Sequence, residues 1–170
     1  DLDFVKVKLA GGSTGSRCGF GYDIHRFSSG RKLFLGGVEF PGEEGLDGHS
    51  DADVLLHAVC DALLGAAGAG DIGRLFPDTD QQYKGISSMK LLSRVSATLA
   101  EGGWRVTNVD VTLVAQKPRI APFVENMKAN ISSALGVSGN AISIKATTAE
   151  GMGSIGRSEG IACYAVAGIS

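Results

Sequence analysis

Proline is scarce in this chain, 4 of 170 residues, which excludes a proline-rich linker or a collagen-like repeat although glycine is abundant. Cysteine is scarce too: Cys18, Cys60 and Cys163 are odd in number, widely separated and form no Cys-x-x-Cys pair. No disulfide framework is expected from them, and a reducing compartment is. Neither sign of charge dominates, since 16 basic against 18 acidic side chains leave a net charge of −2. That removes any electrostatic case for nucleic acid or an anionic membrane as partner. No stretch approaches the roughly 18–20 apolar residues of a membrane span; the longest uncharged apolar run, Ile161 to Ser170, is far too short. The first ten residues lack the basic segment and apolar core of a secretory signal. What the sequence has in excess is glycine, 25 residues, roughly twice ordinary usage. Such an excess means many tight turns, or backbone brought close to something.

The length suits one domain with a working core. Residues 1–16 carry no initiator Met and end in Gly-Gly-Ser-Thr-Gly-Ser, so they read as a tag, linker or truncated leader ahead of a domain over 17–170. Cys18–Phe27 reads as a strand, and Lys32–Phe40, broken by Gly36-Gly37, as a hairpin or bulged pair. Gly42–Ser50 reads as loop. Ser50 is then expected to cap a helix with Asp53 at its third position, an apolar face of Leu55, Leu56, Val59, Leu63 and Ala66, and a stop at Gly65, Gly68 and Gly70. Asp71–Tyr83 is polar and reads as loop. Ser87–Glu101 and Pro122–Leu135 have helical periodicity, each closed by glycine, while Val106–Ala115, Ile142–Thr148 and Gly160–Ile169 read as strands. The order β, β, α, α, β, α, β, β predicts an α/β (α+β) fold, a mixed sheet packed on helices.

All three histidines lie between His25 and His57, each beside carboxylates. Asp23 and His25 are two apart, so an extended backbone projects both from one face. His57 sits on the helix with Asp53 one turn before and Asp61 one turn after. An Asp–His pair from a strand end and a His from a helix supply three N/O ligands, as an open catalytic Zn²⁺ site requires. Asp53 or Asp61 then suit a role in fixing the imidazole tautomer. The spacing alone equally allows a surface Asp-x-His and a buried, hydrogen-bonded helix histidine. His49-Ser50, next to a helix N-terminus, forms an anion-binding corner or simply a cap. Near the C-terminus, Thr147-Thr148-Ala149-Glu150 leads into Gly151-Met-Gly-Ser-Ile-Gly-Arg157. Two hydroxyls, a carboxylate, free backbone N–H groups and an Arg suit a diphosphate with a divalent ion, although no P-loop pattern is present. Ala115–Ala121, just after a strand, is a second ligand loop or an ordinary solvated one.

Five stretches in order, Gly21–His25, His49–His57, Asp71–Asp80, Asn108–Thr112 and Lys145–Ala162, resemble the 2-C-methyl-D-erythritol 2,4-cyclodiphosphate synthase family of the non-mevalonate isoprenoid pathway. The resemblance covers nearly everything from Arg17 onward. It implies a homotrimer with active sites between neighbouring subunits and a small-molecule cytidyl diphosphate substrate, 4-diphosphocytidyl-2-C-methyl-D-erythritol 2-phosphate. The substrate's 2-phosphate attacks its β-phosphorus, closing a cyclic diphosphate and releasing CMP. The resemblance makes Asp23, His25 and His57 the Zn²⁺ ligands, with Asp23 and His25 also bordering substrate. His49 and Ser50 contact phosphate; Asp71, Ile72, Gly73, Phe76, Pro77, Asp78, Thr79 and Asp80 receive the erythritol and neighbouring groups. Ala115, Gln116, Lys117, Pro118, Arg119, Ile120 and Ala121 form the cytidine pocket. Thr147, Thr148, Ala149 and Glu150 handle the diphosphate, with Glu150 a ligand of a second divalent ion, Mg²⁺ or Mn²⁺. His49 and Thr148 are the catalytic, transition-state-stabilising residues, and Ser154 and Arg157 are further phosphate or trimer-axis contacts. Three positions depart from the family pattern: Arg119 stands where many members have Lys, Ser154 where some have an aromatic, and Tyr164 where an acidic residue is expected. Binding of isoprenoid diphosphates at the threefold axis is therefore not carried over.

Such chemistry needs positioning and charge neutralisation more than a strong base, because the nucleophile is already an anion. A zinc-dependent phosphohydrolase with the same ligands, and a trimeric nucleotide-binding protein without turnover, remain the alternatives. The resemblance implies a bacterial cytoplasm, or a plastid where a transit peptide has been removed.

Overall fold

The computed structural model describes residues 15–77 and 85–170; most of the segment read as a linker, and Asp78, Thr79 and Asp80, lie outside the described residues. In chain order the elements are β1 (Arg17–Ser28), β2 (Leu33–Leu35), β3 (Val38–Phe40), β4 (Gly45–Leu46), α1 (Val54–Ala67) and α2 (Ile72–Leu75). They continue with α3 (Ser88–Glu101), β5 (Val106–Val114), α4 (Val124–Leu135), β6 (Ile142–Thr147), α5 (Gly153–Gly156) and β7 (Gly160–Ile169). Five strands form a mixed sheet in the order β4-β1-β7-β5-β6, and β2-β3 form a separate hairpin. β7 is antiparallel to both β1 and β5, whereas β5 and β6 are parallel. The C-terminal ends of β1, β5 and β6 therefore meet at one end of the sheet.

The sheet has two different faces. On β1, Gly19, Gly21, Asp23 and His25 point toward α1, and Phe20, Tyr22 and Ile24 alternate onto the opposite, exposed face. A Cβ at Gly19 would lie 2.0 Å from the Ala62 carbonyl oxygen, and one at Gly21 2.0 Å from that of Ala58. Only glycine lets α1 approach β1 this closely. α1 is buried on nearly every side, from Val54 through Ala67, because the sheet lies on one flank and α3 on another. α3 contributes Leu91, Leu92, Val95 and Leu99, and α4 the stripe Met127, Ile131 and Leu135. No helix among the described residues is long and apolar enough to cross a membrane.

Several boundaries differ from the sequence reading. Asp53, not Ser50, caps α1: its carboxylate accepts from Leu56 N at 3.1 Å and also from Gly36 N at 3.0 Å and Gly37 N at 2.7 Å. It thereby holds the turn of the β2-β3 hairpin, where both glycines have positive φ. Gly68, in the left-handed conformation, ends α1, while Gly65 lies inside the helix. Gly42–Ser50 is loop except for Gly45–Leu46, which pairs with Phe27 and Ser28. Within Asp71–Tyr83, Asp71 caps a short helical turn, and α5 supplies another inside the Gly151–Arg157 segment.

Candidate functional site

In the second half of β1, Asp23 and His25 project from the same face, as their spacing requires. His57, in the first turn of α1, reaches them because the glycines of β1 admit the helix. Asp23 Oδ2 lies 2.9 Å from His25 Nε2 and 3.0 Å from His57 Nδ1, and the two nitrogens are 3.2 Å apart. The three form a compact triangle of metal-ligating atoms. With metal–ligand bonds of about 2.0–2.1 Å, the edge of a tetrahedral site is about 3.3 Å, so this donor set fits a zinc-sized ion with one position left open. Burial pushes the Asp23 carboxyl up, yet hydrogen bonds from His25 and His57 overcome it and hold the carboxyl well below the usual range. For His25, burial works against the charged ring; its hydrogen bond to Asp23 and one to the Asp47 backbone outweigh that and raise its pKa.

The outer nitrogen of His57 has partners that the sequence reading missed. Nε2 lies 3.0 Å from Ser50 Oγ and 3.0 Å from Ser88 Oγ, and Ser88 is fully buried. Asp53 and Asp61, expected to serve this ring, are used elsewhere. Asp53 holds the hairpin, while Asp61 Oδ1 accepts from Ile72 N at 2.8 Å and so fastens α2 to α1. Burial raises the Asp61 carboxyl's pKa. No local pattern marks Ser88, which is 31 residues from His57 in sequence.

His49 is exposed on the loop before α1 and Ser50 is buried beside His57. Arg31 braces this loop, donating to the Gly48 carbonyl at 2.7 Å and to that of Ser50. Asp71, Ile72 and Gly73 form the start of α2, Phe76 ends it, and Pro77 follows.

A second group of expected residues gathers past β5 and β6. Ala115 N donates to the Thr147 carbonyl at 3.0 Å, and Ala149 N donates to Gln116 Oε1 at 2.9 Å. These bonds tie Ala115–Ala121 to Thr147–Glu150. Thr148 Oγ1 donates to Glu150 Oε1 at 2.7 Å, so a hydroxyl and a carboxylate stand side by side on an exposed loop. Lys117 Nζ lies 5.4 Å from the centre of the Phe27 ring on β1, and Ile120 is buried. Both groups thus share one end of the sheet, but β7 separates β1 from β5. Arg157 donates to Glu159 Oε1 at 2.6 Å. Ser154, on α5, and Glu159 help line a cavity of about 580 Å³ beside Ile24 and Phe27.

A model of the YgbB family matches residues 16–170. The chain is 58% identical over 150 residues to the 2-C-methyl-D-erythritol 2,4-cyclodiphosphate synthase of Syntrophomonas wolfei, covering 88% of this chain and 96% of that protein. It is also 58% identical over 169 residues to the bifunctional enzyme IspD/IspF of Desulforudis audaxviator, where the match covers 99% of this chain but only 42% of the relative. Among solved structures, the CDP complex of IspF from Plasmodium falciparum superposes with a TM-score of 0.80 at 34% identity, covering 93% of this chain and 97% of the other.

Proposed function

From the premise that this chain belongs to the YgbB family, we propose that it converts 4-diphosphocytidyl-2-C-methyl-D-erythritol 2-phosphate into 2-C-methyl-D-erythritol 2,4-cyclodiphosphate and CMP. The observation that carries the reading is the Asp23–His25–His57 triangle, in a chain that aligns over most of its length with a synthase of that name.

In the reaction an oxygen of the 2-phosphate forms a bond to the β-phosphorus. The bond from that phosphorus to the bridging oxygen breaks, and CMP leaves with the oxygen. Little covalent help is needed, so the protein's task is to bring two anionic groups together and neutralise them. When bound, Zn²⁺ at Asp23, His25 and His57, and Mg²⁺ or Mn²⁺ at Glu150, supply Lewis acidity and charge neutralisation at the phosphate oxygens. His49 and Ser50 bind phosphate from a loop that Arg31 holds still. Thr148, once its hydroxyl turns from Glu150 to the substrate, and His49, through a ring N–H, stabilise charge developing on the diphosphate. Ala115–Ala121 receives the cytidine; that a cytidine diphosphate is the ligand class is supported by the CDP complex of the Plasmodium relative. Asp71–Gly73 and Phe76–Asp80 enclose the erythritol, and Ser154 and Arg157 are outer contacts.

The working unit is a homotrimer with sites between subunits. Its support is the uncovered apolar sheet face of Phe20, Tyr22, Ile24, Tyr164 and Val166, a contiguous patch of the kind that marks an interface. A cytoplasmic location goes with the bacterial relatives.

Phosphorus NMR of the cytidyl substrate with the protein tests the reaction. Cyclic diphosphate with CMP is expected; open-chain phosphates would mean hydrolysis, and an unchanged spectrum with bound nucleotide would mean binding alone. His57→Ala is expected to abolish stoichiometric zinc by elemental analysis while helical circular dichroism is retained.

A further inference from the structure

A histidine ligates a metal only through a bare ring nitrogen, so the position of the remaining proton matters. His57 Nδ1 faces Asp23 and His25, whereas Nε2 faces Ser50 and Ser88. Ser88 occupies the first position of α3, and its hydroxyl donates to Asp51 Oδ1 in a close contact. The same Asp51 carboxylate accepts from Ser88 N at 2.9 Å and from Asp53 N at 3.3 Å. A carboxylate only accepts, so the Ser88 proton is committed to it. The Ser88 oxygen is then left to accept, and the available donor is His57 Nε2–H at 3.0 Å. Ser50 Oγ accepts from Ala52 N at 3.1 Å and has a second lone pair for the same ring proton, although that bond does not commit its own hydrogen.

We propose that Ser88, oriented by Asp51, is a positioning residue that draws the His57 proton to Nε2, against the pull of the Asp23 carboxylate 3.0 Å from Nδ1, and so frees Nδ1 for a metal ion. Only the closing clause rests on the metal-site reading; the direction of the proton rests on the hydrogen bonds. The arrangement is the hydroxyl-mediated version of a carboxylate holding a metal-bound imidazole, and it spans a long sequence separation. His25 likewise has a second partner besides Asp23, the backbone carbonyl of Asp47, to which its ring donates.

Imidazole nitrogen NMR of the chelator-treated protein near pH 8 reads the tautomer directly, and three histidines make assignment simple. His57 is expected to carry its proton on Nε2. Ser88→Ala removes the acceptor but leaves the backbone N–H that Asp51 caps; the ring should then populate both tautomers. Zinc affinity, measured by competition with a chelator, should fall about 10–100-fold. Ser88→Thr restores the hydroxyl and should return both readouts to near the parental values, which a purely structural role does not predict for the tautomer. A parental His57 protonated on Nδ1 overturns the proposal without any variant. So does Ser88→Ala with unchanged tautomer and affinity. If zinc binds neither parent nor variants, the metal reading fails, while the tautomer spectra still decide the role of Ser88.

Discussion

Asp23 and His25 pull each other's proton equilibria in opposite directions, and this gives the metal-free protein a particular pH response. The depressed Asp23 carboxyl contributes stability that is present above about pH 4 and is lost as pH falls toward its folded value. The raised His25 contributes stability that is full below about pH 6.5 and is lost as pH rises through its folded value. Between those limits the pair contributes most. Chelator-treated protein should therefore lose thermal stability between pH 6 and pH 8. Zinc competes with the proton on His25, so the rise in Tm on adding zinc should be larger at pH 8 than at pH 6. Differential scanning fluorimetry at the two pH values, with and without zinc, checks both signs. At this scale the sequence was informative: the two-residue and helix spacings singled out Asp23, His25 and His57, which the fold does bring together. It failed for Asp53 and Asp61, where i, i+4 spacing suggested partners for His57. Side chains one turn apart share a face, but nearby backbone N–H groups competed for both carboxylates.

Helix α1 is positioned by two devices, one at its side and one at its start. The side device is the pair of glycines on β1. A methyl group at Gly21 would collide with the Ala58 carbonyl, a backbone atom that cannot swing away. Gly21→Ala should cost about 3 kcal/mol and lower Tm by roughly 6–12 °C; by moving α1 off β1 it should also weaken zinc binding. The start device is Asp53, whose carboxylate serves the helix cap and the hairpin turn together. Asp53→Ala should cost about 3–5 kcal/mol, a lost cap plus stranded N–H groups. Asp53→Asn, which keeps one acceptor oxygen, should cost less in urea denaturation. The strands and the three long helices were legible from periodicity and glycine stops. The cap was misplaced by three residues because Ser50 and Asp53 both suit a helix start, and only the hairpin's N–H groups decide between them.

Among the described residues, one face of the sheet is covered by helices and the other is bare. On the bare face Tyr22 and Tyr164 rings lie 5.0 Å apart, with Phe20 6.3 Å from Tyr164, an aromatic patch that water covers poorly. Phe20→Lys places a charge on it and should shift the native mass from the three chains of the proposed trimer toward one, seen by light scattering. Loss of synthase activity should accompany dissociation, because the sites are proposed to lie between subunits. The near-neutral charge suits the proposed chemistry, in which metal ions and backbone donors would carry the charge that binds the phosphates, so that a basic surface is not needed.

The sequence by itself determined the order of the long strands and helices, and marked Asp23, His25 and His57 as candidate ligands, because those depend on short-range periodicity and on side-chain chemistry that does not change with context. It also determined the glycine excess without saying which glycines mattered. Tertiary structure decided that. It put Gly19 and Gly21 against α1, brought Ser88 and Asp51 to the far side of His57, and gathered Ala115–Ala121 and Thr147–Glu150 at the sheet end that carries Asp23. These are contacts between segments tens of residues apart, fixed by strand register and by how closely one backbone can approach another, and no local pattern encodes either.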